Sequence, residues 1–131
     1  MEKPKNNYDE IDELIRPIIE YLNEVMGVKT VSSSQGKSMG EDGIPKYGYD
    51  GYIMCIYSKR SFNIFNHLLD KFNNVNTTIE LWFDTKHEKF LTFRINTTFL
   101  SKDEHKALWN DVLECLKNYR YGKSRKMYSM R

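Results

Sequence analysis

Thr77-Thr78-Ile79-Glu80-Leu81-Trp82-Phe83-Asp84-Thr85-Lys86-His87-Glu88-Lys89-Phe90-Leu91-Thr92-Phe93-Arg94-Ile95-Asn96-Thr97-Thr98 is the stretch that decides the fold. Thr77 to Asp84 and Lys89 to Thr98 both alternate with period two, which predicts a β-hairpin turning at Thr85-Lys86-His87-Glu88. Ile79, Leu81 and Phe83 then oppose Leu91, Phe93 and Ile95 on the face expected to meet the core. Glu80, Trp82 and Asp84 share the other face with Thr92, Arg94 and Asn96, because side chains two apart project to one side of a strand.

Working outward, Ser101-Lys102-Asp103-Glu104 has the form of a capping box, opening a helix that carries Leu108, Trp109, Val112, Leu113, Leu116 and Tyr119. Upstream, Ser61 is read as the cap of a helix with Phe62, Phe65, Leu68, Leu69 and Phe72 on one side. Tyr52 to Tyr57 is apolar at every position, the pattern of a central strand covered on both faces. Val28 to Ser32 reads as a short β-branched strand. Near the N-terminus, Ile11, Leu14, Ile15, Ile18, Ile19, Leu22, Val25 and Met26 recur at helical spacing, with Asp9 as the cap and Gly27 as the stop. Pro17 falls inside that pattern, so a kink or a break between two short helices is expected there. The order is helix, strand, strand, helix, strand, strand, helix. It predicts an α+β fold: one mainly antiparallel sheet of about four strands with three helices packed on it.

The chain has 131 residues, 40% of them hydrophobic and 14% aromatic, which suits one domain with a real core. Residues 1–131 are read as a single α+β domain, with a flexible glycine-rich loop at 33–50 and a basic tail at 120–131. Twenty Lys and Arg against 18 Asp and Glu leave a formal charge of +2, excluding a uniformly cationic nucleic-acid coat and an acidic DNA mimic. No apolar run reaches membrane-spanning length and Met1 to Asp9 is too polar for a signal peptide, so a cytoplasmic location is expected. Cys55 and Cys115 lack paired spacing and are read as reduced.

Three groups of residues could carry function. Ser33, Ser34, Gly36 and Lys37 form a turn whose backbone N–H groups, hydroxyls and ammonium would suit an anion; a serine-rich structural turn is the plain alternative. Trp82, Arg94 and Asn96 on the outer hairpin face could stack a base and grip phosphate; a Glu80–Arg94 cross-strand pair with Trp82 covered by a neighbour is the alternative. Arg120 and Arg125 in the tail could neutralise phosphate, or the tail could simply be solvated. His67, His87 and His105 show no metal-ligand spacing and read as surface or boundary residues. No serine sits in a nucleophile elbow, and no metal or cofactor is expected.

The run Ile11-Asp12-Glu13-Leu14-Ile15-Arg16-Pro17-Ile18-Ile19-Glu20-Tyr21-Leu22-Asn23, followed by Thr30-Val31-Ser32-Ser33-Ser34-Gln35-Gly36-Lys37, resembles the N-terminal element of the tRNA wybutosine-synthesising methyltransferase family. In that family a proline-containing helix ends in Leu-Asn and is followed by a Thr-x-Ser-Ser-Cys-x-Gly-basic turn. Ser34 stands where the family has cysteine, and this chain is short for its catalytic domain. The resemblance therefore implies a scaffold and a ligand-facing turn, not methyl transfer. In size and inferred architecture the chain is also similar to small phage proteins that sequester nucleotide immune signals, the Thoeris anti-defence sponges.

The leading expectation is a non-enzymatic protein that binds an anionic, nucleotide-derived small molecule, as a homo-oligomer. A protein-binding inhibitor or adaptor is one alternative; an RNA-modifying, methyltransferase-like relative is another, and nucleic acid stays open as a partner.

Overall fold

A computed structural model describes residues 8–45, 48–73 and 76–119. A 3₁₀ turn at Tyr8–Glu10 leads to α1 (Arg16–Glu24), β1 (Thr30–Ser34), β2 (Gly51–Ile56), α2 (Lys59–Lys71), β3 (Thr77–Phe83), β4 (Lys89–Ile95) and α3 (Lys102–Lys117). The fold is α+β, with three helices and one antiparallel sheet in the expected chain order. Spatially the strands run β1-β2-β4-β3, so β2 and β4 are central while β1 and β3 form the edges.

The β3–β4 hairpin folds in the register its alternation requires, but of the β3 residues expected at the core only Ile79 is half-buried, while Leu81 and Phe83 are exposed. Ile79 pairs with Phe93 and Leu81 with Leu91, which puts these four on one face. Asp84 closes the turn, its carboxylate accepting the N–H groups of Lys86 and Glu88 while His87 takes a positive φ. β2 continues the sheet with Ile53 opposite Phe93 and Cys55 opposite Leu91. Ile53, Cys55, Leu91, Phe93 and Ile95 are all buried against the helices. The helices contribute Ile18, Ile19 and Leu22 from α1, Ile64, Phe65 and Leu68 from α2, and Leu108, Trp109, Val112 and Leu116 from α3. The Phe65 and Phe93 rings meet 6.0 Å apart across the helix–sheet seam.

Several local expectations are corrected. β2 has only one covered face: Ile53 and Cys55 are buried, whereas Tyr52 and Met54 are half-buried and Ile56 is exposed. Uniform apolarity here reflects a second row, Tyr52, Met54 and Ile56, on the face away from the helices, not burial on both sides. The N-terminal helix does not start at Asp9. It starts at Arg16 after a bend, with Ile15 at the cap position and Pro17 in the first turn. A proline there loses no helical hydrogen bond, so it opens the helix without kinking it. Ser58, not Ser61, caps α2; Ser61 is the third helical residue and bonds back to the Ser58 N–H, completing a capping box. Phe62 consequently lies on the exposed side. α3 opens with the Ser101/Glu104 box as expected. β1 occupies Thr30–Ser34, two residues later than expected, with a bulge between Thr30 and Ser32. Among the described residues no helix is long and apolar enough to cross a membrane.

Candidate functional site

The serine turn leaves β1 and is tied at three successive backbone donors. The Gln35 N–H donates to the Asp12 carboxylate at 3.0 Å, the Gly36 N–H to the Ser34 hydroxyl at 3.1 Å, and the Lys37 N–H to the Tyr49 carbonyl at 2.8 Å. The Gln35 side chain accepts from the Leu14 N–H at 2.8 Å. Its main-chain carbonyl receives two α3 side chains, Trp109 Nε1 at 3.0 Å and His105 Nε2 at 2.7 Å. A carbonyl only accepts, so His105 carries its proton on Nε2. His105 is therefore a buried structural residue and not the surface or boundary histidine expected.

Gly36 has φ +76°, and a Cβ there would collide with the Thr97 hydroxyl and come within 2.6 Å of the Gly51 nitrogen and 2.7 Å of the Tyr49 carbonyl. Thr97 in turn donates to the Lys37 carbonyl at 2.9 Å. The turn is thus a joint that fastens β1, the long loop and α3 together. Three of the N–H groups on which the anion-cradle reading rested, those of Gln35, Gly36 and Lys37, are occupied, one of them by a carboxylate. The Lys37 ammonium sits 4.4 Å from the centre of the Tyr49 ring, a cation–π contact on the exposed side of the joint. The long loop is also fastened within its described residues: Met39 N–H donates to the Leu100 carbonyl, and Gly40 N–H to that of Ile44.

Beside the joint lies a cleft of about 350 Å³, bordered by Tyr8, Glu10, Asp12, Asn23, Thr30 and Ser33. Its described lining carries two acids and no cation, which repels an anionic guest.

The outer face of the sheet is different. All three helices lie on the opposite side, and no described element covers the face on which β2, β3 and β4 carry Tyr52, Met54 and Ile56, Thr78, Glu80 and Trp82, and Phe90, Thr92 and Arg94. Trp82 is 49% exposed. The Arg94 guanidinium lies 5.4 Å from the centre of the Tyr52 ring and reaches the Glu80 carboxylate, with Nε at 3.4 Å and Nη2 at 3.5 Å. The expected cross-strand pair is therefore present, but long and about one-third exposed, the kind of ion pair that contributes ~0–1 kcal/mol and yields to a better partner. At the middle of the face, between Met54 and Glu80, Thr92 is fully buried and its hydroxyl has no hydrogen-bond partner among the described residues.

Trp82 and Arg94 share this face as expected. Asn96 lies just past β4 and does not join them: its side-chain oxygen accepts the N–H and hydroxyl of Thr98. Ser33, Ser34, Gly36 and Lys37 belong to the joint. Arg120 and Arg125 fall outside the described residues. Sequence reasoning missed Tyr52 and Phe90. Alternation within Tyr52–Ile56 sets large Tyr and Met against Ile and Cys, and that contrast was the available signal.

The titratable groups with perturbed protonation are away from this face. Burial raises the Cys55 thiol to about 11, with Ser61 opposing weakly through a hydrogen bond. Burial also raises Cys115. His67 is lowered by burial and then by Lys71, and its ring meets Tyr119 edge-on at 5.0 Å. Among the described residues no three His, Cys, Asp or Glu side chains gather as a metal site. No protein-family model, curated protein or solved structure matches the chain.

Proposed function

We propose that this chain is a non-catalytic binding protein that holds an anionic, nucleotide-derived ligand against the open face of its sheet. The observation that supports this most is the grouping of the Trp82 indole, the Tyr52 and Phe90 rings and the Arg94 guanidinium on one face that no described element covers. Aromatic rings at such a surface stack nucleobases, each stack contributing ~1–3 kcal/mol, and a guanidinium presents a two-pronged donor to phosphate.

The register suits a ligand longer than one nucleotide. Trp82 pairs with Phe90 and Arg94 with Thr78, so the two groups stem from rows four residues apart, roughly 13 Å along the sheet. That span exceeds one nucleotide's reach from base to phosphate and suits two linked units. The ligand class is accordingly a linear or cyclic dinucleotide. Phosphate would draw Arg94 from its long bond to Glu80 while Tyr52 keeps the guanidinium in place. Holding such a molecule without turning it over is sequestration, the role that fits a sponge for a nucleotide signal.

Calorimetry with a 5′-phosphorylated dinucleotide and with cyclic dinucleotides tests the reading. Binding to the native chain should weaken about tenfold or more in Trp82→Ala and in Arg94→Met, in line with ~1.4 kcal/mol or more for each contact. Absence of heat from all of these ligands, or undiminished affinity in both variants, contradicts it.

A further inference from the structure

β3 is an edge strand, and no described residue protects its outer side. In the hairpin, the Asp84 N–H donates to the Glu88 carbonyl and the Asn96 N–H to the Asn76 carbonyl, so even-numbered residues of β3 exchange hydrogen bonds with β4. Ile79, Leu81 and Phe83 therefore direct their N–H and C=O groups away from the sheet. Among the described residues, nothing accepts from or donates to them. The strand Thr-Thr-Ile-Glu-Leu-Trp-Phe holds no proline, lysine or bulge, the devices that normally blunt an edge. Its distal half is exposed on both faces: Leu81 is 49% and Phe83 59% exposed on the helix side, with Trp82 on the other. The opposite edge is treated differently. β1 is bulged, and the Asn23 side chain accepts the Thr30 N–H at 3.2 Å.

We infer that β3 pairs antiparallel with β3 of a second copy of this chain, about a two-fold axis at Leu81, joining two four-stranded sheets into one. Hydrogen-bond parity, charge and cover for the exposed apolar side chains favour this register: an axis at Ile79 leaves Phe83 beyond the paired part of β3, and one at Phe83 sets Leu81 against the turn residue Thr85. Outward groups must face outward groups, so odd-numbered residues pair with odd-numbered ones. An axis at Glu80 satisfies that parity but sets Glu80 against the partner's Glu80 in a close pair. An axis at Trp82 satisfies it too, yet brings Glu80 opposite the partner's Asp84. Both place like charges face to face, which destabilises a pair of strands.

An axis at Leu81 avoids both conflicts. Leu81 meets the partner's Leu81, and Phe83 meets the partner's Ile79, so the apolar side chains that overhang α2 cover one another. On the open face Glu80 lies opposite the partner's Trp82, and Thr78 opposite the partner's Asp84. Each odd-numbered pair from 79 to 83 exchanges two backbone hydrogen bonds. The occupant of this edge is a second copy because the edge is self-complementary in hydrogen-bond parity, side-chain size and charge. The proposal stands on the edge alone and is independent of any ligand, although the joined sheets would give one continuous open face.

Sedimentation velocity of the full chain, with cysteine cross-linking, tests it. The native chain should sediment as a dimer, and Leu81→Lys, whose side chain is already half exposed, should sediment as a folded monomer with an unchanged circular dichroism spectrum. Under mild oxidation Leu81→Cys should form an intermolecular disulfide, because a hydrogen-bonded antiparallel pair holds its Cα atoms ~5.5 Å apart, within disulfide reach. Thr78→Cys, several rows from its own copy, should not. A native chain that stays monomeric up to millimolar concentration, a dimer untouched by Leu81→Lys, or cross-linking at residue 78 as efficient as at residue 81 overturns the proposal.

Discussion

At Gly36 two readings stand side by side in the sequence, a structural turn and an anion cradle, and its partners in the fold support the first. A glycine after three serines does mark a left-handed turn, and its φ is +76°. What turns the segment inward is Asp12, twenty-three residues upstream, together with His105 and Trp109, about seventy downstream. Such partners leave no local trace, so a structural joint and an anion cradle look alike in sequence. The structure separates Gly36 from Gly43, which has a similar φ of +77° but open space around a would-be Cβ. In urea unfolding, Gly43→Ala should cost about 1 kcal/mol, the conformational term alone. Gly36→Ala should cost about 3 kcal/mol or more, because two of the colliding atoms are backbone and cannot turn aside. Equal losses at the two glycines would remove the packing role assigned to the joint.

Element by element, legibility followed how local each signal was. The capping box of α3 and the alternation of β3 and β4 are complete within a few residues, and both were readable. α2 was placed but its cap was not: Ser58 and Ser61 are both serines at a helix start, and only the reciprocal hydrogen bonds tell which is which. The seam between α2 and α3 was invisible, since His67 meets Tyr119 only once both helices pack. It carries a pH dependence. Burial, reinforced by Lys71 and opposed by Asp70, lowers His67 in the folded chain from its usual 6.5. The unfolded chain therefore binds this proton first as pH falls. The stabilisation from a neutral His67 is full above about 6.5 and is lost as pH drops through the lower folded value. Stability measured from pH 7.5 down to 5 should decline in the native chain, and the decline should be shallower in His67→Gln. Parallel profiles would mean that His67 does not titrate against folding.

At the scale of the molecule, placing three helices on one side of a four-stranded sheet leaves the other side uncovered by any described element, and that asymmetry produces the candidate site. The sequence foretold the sheet and the shared face of Trp82 and Arg94. It did not foretell that Tyr52 joins them, because strand order β1-β2-β4-β3 is a non-local property that sets β2 beside β4; Phe90, opposite Trp82 within the hairpin, was within reach of the alternation and was passed over. The resulting surface is flat, aromatic and nearly charge-neutral, with one guanidinium held loosely enough to change partners. The central claim is that ligand meets this face and not the serine turn. Backbone amide chemical shifts recorded while a 5′-phosphorylated dinucleotide is added test it most directly. The account predicts saturable changes centred on Tyr52, Met54, Trp82, Phe90 and Arg94; changes confined to Ser33–Lys37 with the sheet unmoved would contradict it.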